Sequence, residues 1–104
     1  MAQTKDAFKA RVHEWAEKIG VEVKTVSIRP MKNKWASFTK RNQLLIFNTE
    51  LLAMSKKIGD YVIVHELLHF NIPNHGKLWK SLMLAYLGDY EKIEKKIKMR
   101  WGSS

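Results

Sequence analysis

The chain contains no cysteine. Disulfides and thiolate metal sites are therefore both excluded, and any metal must sit on His, Asp or Glu. No apolar run approaches the length needed to span a bilayer, so no membrane segment is expected. The start, Met1-Ala2-Gln3-Thr4-Lys5-Asp6, is polar and has no apolar stretch. No signal peptide is expected from it, and the expected location is the cytoplasm. Internal repeats, low-complexity tracts and linkers are missing too. Acidic residues are scarce: 10 Asp and Glu stand against 19 Lys and Arg, a net charge of +9. A basic surface favours nucleic acid, anionic membrane or acidic proteins. Here lysine supplies most of it, and arginine is the better bidentate reader of phosphate, so a soluble, well-hydrated surface is the favoured reading.

What is present suits one small domain over residues 1–104, with 45% hydrophobic residues to build a core. A domain of this size buries only about 60–65% of its unfolded surface, so packing must be economical. From Lys5 to Ile19, apolar residues at Phe8, Val12, Trp15 and Ile19 follow helical spacing, and Gly20 is the stop. Val21–Ile28 reads as a strand, Trp35–Thr39 as a second, and Leu44–Phe47 as a third, apolar throughout and central. Asn48 or Thr49 is expected to cap a short helix over Glu50–Lys57, stopped by Gly59. Asp60 then caps a helix over Tyr61–Asn71, which Ile72-Pro73 breaks. Asn74 caps a helix over His75–Leu87 with a buried stripe of Leu78, Trp79, Leu82, Met83 and Tyr86. Gly88 ends it, and Asp89 caps a lysine-rich last helix that buries Ile93, Ile97 and Trp101.

The chemistry concentrates in His65-Glu66-Leu67-Leu68-His69. Two histidines four residues apart on a helix point from the same face, and their nitrogens can share one metal ion. Glu66 lies one step round, within reach of a water on the metal without being a ligand. Val62, Ile63, Val64, Leu67, Leu68 and Phe70 make this helix apolar nearly all round, so it should be buried. A buried glutamate is costly without a partner or a task. His75, in the first turn of the next helix and facing inward, is the expected third ligand. Three histidines and no fourth protein ligand is the catalytic rather than the structural arrangement for Zn2+. The expected reaction is hydrolysis of a peptide bond, with Glu66 taking the proton of the attacking water and passing it to the leaving amine. Tyr61, Tyr86 and Tyr90 are candidates for a second oxyanion donor, although Tyr86 belongs with the core. His13 lacks a partner at ligand spacing. Trp35, Ala36, Ser37 and Phe38 form the candidate edge strand for binding a peptide substrate by strand addition.

These residues resemble a known family. His65-Glu66-Leu67-Leu68-His69 followed by Asn74-His75-Gly76-Lys77-Leu78-Trp79 resembles the YgjP-like, WLM and SprT-like group of zinc peptidase domains. In that group the third ligand is a histidine followed four residues later by a large aromatic, the place of Trp79. Tyr61-Val62-Ile63-Val64 and Lys34-Trp35-Ala36-Ser37 resemble further patterns of the group, and the likeness spans roughly Ile28 to Lys98. In size the chain resembles the minigluzincins, minimal soluble relatives of membrane-integrated gluzincin peptidases. It departs from gluzincins proper, which use glutamate as third ligand, and from metzincins, which need glycine where Ile72 stands. The resemblance implies an α+β fold: a small three-stranded mixed sheet, a backing helix, an active-site helix, a third-ligand helix and a C-terminal helix. The elements read above are the same.

The resemblance also implies a zymogen with latency imposed by C-terminal segments. Here residues 89–104 are the expected segment, with Met99, Arg100 and Trp101 as the candidate blocking residues, in cis or through self-association of two copies. The alternative is a helix end that only docks Trp101 on the core. Two alternatives stand beside the peptidase. One is a nucleic-acid-associated SprT-like protease using Lys92, Lys95, Lys96 and Lys98, which is not favoured because such lysines usually form a solvated helix face. The other is a zinc hydrolase of a non-peptide substrate, since fold and metal do not fix substrate.

Overall fold

Phe8, Val12 and Ala16 fall on one face of the first helix, α1 (Lys5–Ile19), and that face is buried. Thr4 caps its start by accepting from the Ala7 N–H. In the computed structural model, which describes residues 3–101, three strands follow: β1 (Thr25–Arg29), β2 (Ala36–Thr39) and β3 (Leu44–Asn48). A 3-10 helix (Thr49–Ala53) leads to α2 (Lys56–Leu68), α3 (Lys77–Leu87) and α4 (Glu91–Trp101). The sheet order is β1-β3-β2, with β1 parallel and β2 antiparallel to β3. The α+β class, the mixed sheet and the central third strand are thus as expected.

Alternation sets the two faces of the sheet. Val26, Ile28, Leu45 and Phe47 share the buried face, with α1 against β1 and α2 against β2. Phe8 meets Phe47 edge-on at 5.2 Å. No described helix is long and apolar enough to cross a membrane.

Several boundaries differ from expectation. β1 starts at Thr25, not Val21: Gly20 turns at φ 87°, and the Val21 N–H closes back on the Ala16 carbonyl, which ties Val21 to the helix end. The expected helices over Glu50–Lys57 and Tyr61–Asn71 are instead the 3-10 helix and one continuous α2, capped by Ser55. Gly59 lies inside α2 because a Cβ there would meet the Arg11 guanidinium at 3.1 Å and Phe8 at 3.4 Å. Asp60 is no cap; its carboxylate accepts from Arg11 and from Trp15 Nε1 on α1. α2 ends at Leu68, where successive i→i−3 bonds from His69, Phe70 and Asn71 tighten the chain.

α3 begins only at Lys77, with Gly76 at the cap. Asn74 accepts from the Gly76 N–H, a turn closed before the helix rather than a cap on it, so His75 lies outside α3. Leu78 is 62% exposed, not part of the buried stripe, because the buried face of α3 centres on Trp79 and Met83, one turn apart, and Leu78 lies about 100° round from Trp79. Tyr86 is half-buried. The first helical bond of α4 runs from Glu94 N–H to the Tyr90 carbonyl, so Tyr90 rather than Asp89 opens that helix.

Candidate metal centre

His65 and His69 face the same way from consecutive turns at the end of α2, with ring centroids 4.8 Å apart. His75 reaches them from the turn before α3, at 5.1 Å from His65 and 4.7 Å from His69. It is exposed, not buried in a helical turn as expected, because the Asn74–Gly76 turn holds it outside the helix. One nitrogen from each of the three lies within 4.8 Å of the others. His69 Nε2 and His75 Nε2 are 2.8 Å apart. Nitrogens around a tetrahedral zinc at ~2.0–2.1 Å stand about 3.3 Å apart, so small side-chain adjustments would seat the ion. Three imidazoles with no thiolate fit Zn2+ chemistry.

The far side of each ring is equally informative. His69 Nδ1 is 2.9 Å from the Ile72 carbonyl, so it must be the protonated nitrogen, and Nε2 keeps its lone pair for a metal. His65 Nδ1 donates to Glu66 Oε2 at 2.8 Å, which frees its Nε2 in the same way. Partial desolvation first, then the charges of His65 and His69, push His75 below the ordinary histidine pKa and favour the neutral, ligating form. Trp79 walls the cluster, 4.4 Å from the His75 ring and 5.1 Å from His65.

Glu66 is 8% exposed. Its burial pushes the pKa up, but the hydrogen bond and charge of His65, the Trp35 hydrogen bond and the charge of His69 together outweigh this and hold it below the usual carboxylate value. Trp35 Nε1 donates to the same oxygen, Oε2, at 3.2 Å. Oε1 is left as the oxygen able to take a proton.

A cleft of about 410 Å³ opens beside Glu66 and His69, lined by Asn33, Lys34, Ala36, Ser37 and Phe38. Three of the four residues expected on a substrate-binding edge therefore face this cleft. Trp35 stands behind it, 1% exposed and turned towards Glu66. Among the described residues β2 pairs only with β3, which leaves its other edge open. The Asn48 N–H bonds the Trp35 carbonyl, so alternation assigns residues 35, 37 and 39 to β3 and turns the backbone groups of Ala36 and Phe38 outward.

Two contributors have roles that the sequence reading did not reach, although Asn48 does cap the 3-10 helix as expected. Asn48 is buried at the end of β3; its Nδ2 donates to the Met31 and Lys34 carbonyls and its Oδ1 accepts from the Glu50 N–H. It thereby fixes the loop that delivers Trp35. Glu94 on α4 accepts from the Tyr61 hydroxyl at 3.1 Å. That bond engages one candidate oxyanion donor, and burial first, then the Glu94 charge, pushes the Tyr61 pKa up. Tyr90 stacks on Tyr61, and Tyr86 meets Trp15 across the helical side of the domain. His13 is exposed on α1.

The C-terminal residues divide. Trp101 is half-buried and meets Trp35 edge-on at 6.5 Å, Arg100 pairs with Glu50 at 2.9 Å, and Met99 is 88% exposed. None of the three lines the cleft. Residues 102–104 of the expected latency segment lie outside the described residues.

A family model of the YgjP-like metallopeptidase domain matches residues 1–102. The chain belongs to that family. It is a metallopeptidase domain, and peptides are the substrates of such an enzyme. The structure is similar to the crystal structure of the metallopeptidase zymogen jannalysin of Methanocaldococcus jannaschii, with a TM-score of 0.79 and 31% identity over 88% of this chain and 94% of that one. It shares its fold with the abylysin zymogen of Pyrococcus abyssi, at a TM-score of 0.75 and 18% identity over 88% and 92% of the two chains. An uncharacterized protein of Methanocaldococcus jannaschii is 33% identical over 77 residues, covering 71% of this chain and 70% of its own length.

Proposed function

We propose that this YgjP-like domain is a zinc-dependent endopeptidase in which His65, His69 and His75 hold the metal and Glu66 is the general base. The observation that carries the reading is the convergence of three imidazole nitrogens within 4.8 Å, one residue from a buried carboxylate. Zinc bound there would supply Lewis acidity for the peptide carbonyl and bring the pKa of water towards about 7. The chain's own residues do the rest. Nδ1 of His69, tied to Ile72, keeps its ring in the ligating tautomer. Trp35 and His65 hold Glu66 Oε2, and Oε1 receives the proton of the attacking water and returns it to the leaving amine. Ala36 and Phe38 offer backbone groups to an extended substrate.

Measuring metal content and peptidase activity together on Glu66→Ala tests the assignment. Zinc is expected to stay and activity to fall at least 100-fold, within the ~10²–10⁴-fold contribution of a positioned acid–base group. Activity within tenfold of the parent would rule Glu66 out as the base.

Residues 89–104 are proposed to impose latency, with Met99, Arg100 and Trp101 as the restraining residues. Two features support this: jannalysin, the structural relative, is a zymogen, and Trp101 touches Trp35, the donor to Glu66. A chain ending before Met99 is expected to be more active than the full chain; equal activity in a folded truncation would remove the idea. Residence in the cytoplasm is part of the same proposal, supported by the cysteine-free composition. Cell fractionation checks it.

A further inference from the structure

Phe38 and Phe70 stack with ring centroids 4.1 Å apart and planes 19° from parallel. Phe38 comes from the open edge strand, and Phe70 follows His69 directly at the end of α2. Both are half-buried, so the pair leaves apolar surface in water. Phe38 also lines the cleft that contains Glu66 and His69, which makes this surface continuous with the proposed reaction centre.

The strand register says what would cover it. Phe38 pairs with Leu45, a residue of the buried sheet face, so its ring lies on the helix side of β2. Its backbone groups turn to the free edge. A residue lying directly opposite Phe38 on an added strand would project its side chain to the same side of the extended sheet. That side chain would meet the Phe38–Phe70 pair. Two residues along, the same face of the edge carries only the small Ala36. The edge thus offers one large apolar contact and one narrow one, a pattern a substrate can match in a single register.

We propose that Phe38, backed by Phe70, is a specificity-determining apolar subsite that selects an aromatic or large aliphatic side chain at one substrate position flanking the scissile bond. The inference rests on the reading of the β2 edge as the substrate-binding strand. It adds the chemical class of the preferred residue, which neither the metal nor the histidines determine.

The test uses peptides that differ at one position at a time, carrying Phe, Leu, Gly or Asp, with dissociation constants measured on the zinc-loaded Glu66→Ala protein. At one position Phe or Leu is expected to bind about tenfold or more tighter than Gly, the low end of what an apolar pocket contact discriminates. Phe38→Ala should collapse that ratio towards one, and Phe38→Leu should largely keep it. Should Phe38→Ala fail to fold, Phe38→Lys, a residue that edge strands tolerate, should move the preference towards Asp. A flat profile at every position, the absence of peptide binding, or a ratio unchanged by the folded Phe38 variants would overturn the subsite. Cleavage of the peptides by Glu66→Ala would instead remove the proposed base and leave the binding contrast standing.

Discussion

Trp35 stands behind the cleft, so any part it takes in the proposed reaction would be exerted through Glu66. It is sealed in the core, and the only polar atom of its side chain points at the carboxylate of Glu66. A hydrogen bond to a charged group contributes roughly 1.5–3 kcal/mol. Trp35→Phe keeps most of the ring and removes that bond. We expect kcat to fall about tenfold, the kinetic equivalent of ~1.4 kcal/mol, with KM and zinc content nearly unchanged. A variant that loses zinc, or whose KM alone changes, would mean that the ring supports the fold and not the base. His65, Glu66 and His69 were legible as one cluster because their relation is local: four residues is about one helical turn. The Trp35 contact spans 31 residues and has no periodic signature. Asn48 is legible as a cap, but its bonds to Met31 and Lys34 are not, since they depend on how a loop crosses the end of β3.

At the scale of elements, α2 is the instructive case. Its apolar character announced a buried helix, and every residue from Tyr61 to Leu68 is buried. Its start was misplaced because Gly59 looks like a stop in any local reading. The reason for the glycine is tertiary: Arg11, held by Gln3, Asp60 and the Lys56 carbonyl, fills the space where a side chain would be. Gly59→Ala should therefore behave against propensity. Helix formation favours alanine by about 1 kcal/mol, whereas overpacking typically destabilises by 1–3 kcal/mol. The expected result is a lower Tm, and a rise would show that Arg11 moves aside freely. The same kind of cause displaced His75, the proposed third ligand. Pro73 did mark the break after α2, but the Asn74–Gly76 turn placed His75 ahead of the next helix.

For the whole molecule, the metal is expected to be part of the fold as well as of the reaction. The three histidines join α2 to the turn before α3, and the domain has a single small core. An ion at 100 times its dissociation constant stabilises the native state by about 2.7 kcal/mol. For a domain of this size that corresponds to a Tm rise of roughly 10 °C. Thermal unfolding with zinc and with a chelator measures it. The increment should persist at neutral pH, where His75, held below the ordinary histidine pKa, is uncharged, and shrink in acid as protons compete for the ligand nitrogens. Identical melting curves with zinc and with chelator would place the ion outside the folding equilibrium.

The open β2 edge has one more consequence, for encounters between copies of the chain. Backbone groups that can accept a peptide can also accept the same strand from another molecule. The edge is only four residues long, and it is flanked by Lys34 on one side and by Lys40 and Arg41 on the other. Two copies meeting edge to edge in antiparallel fashion would bring Lys34 of each against the Lys40-Arg41 end of the other. Like charges facing one another at both ends oppose that pairing, and the net charge of +9 opposes the approach from farther away. The strand proposed to receive substrate is thereby protected from recognising itself.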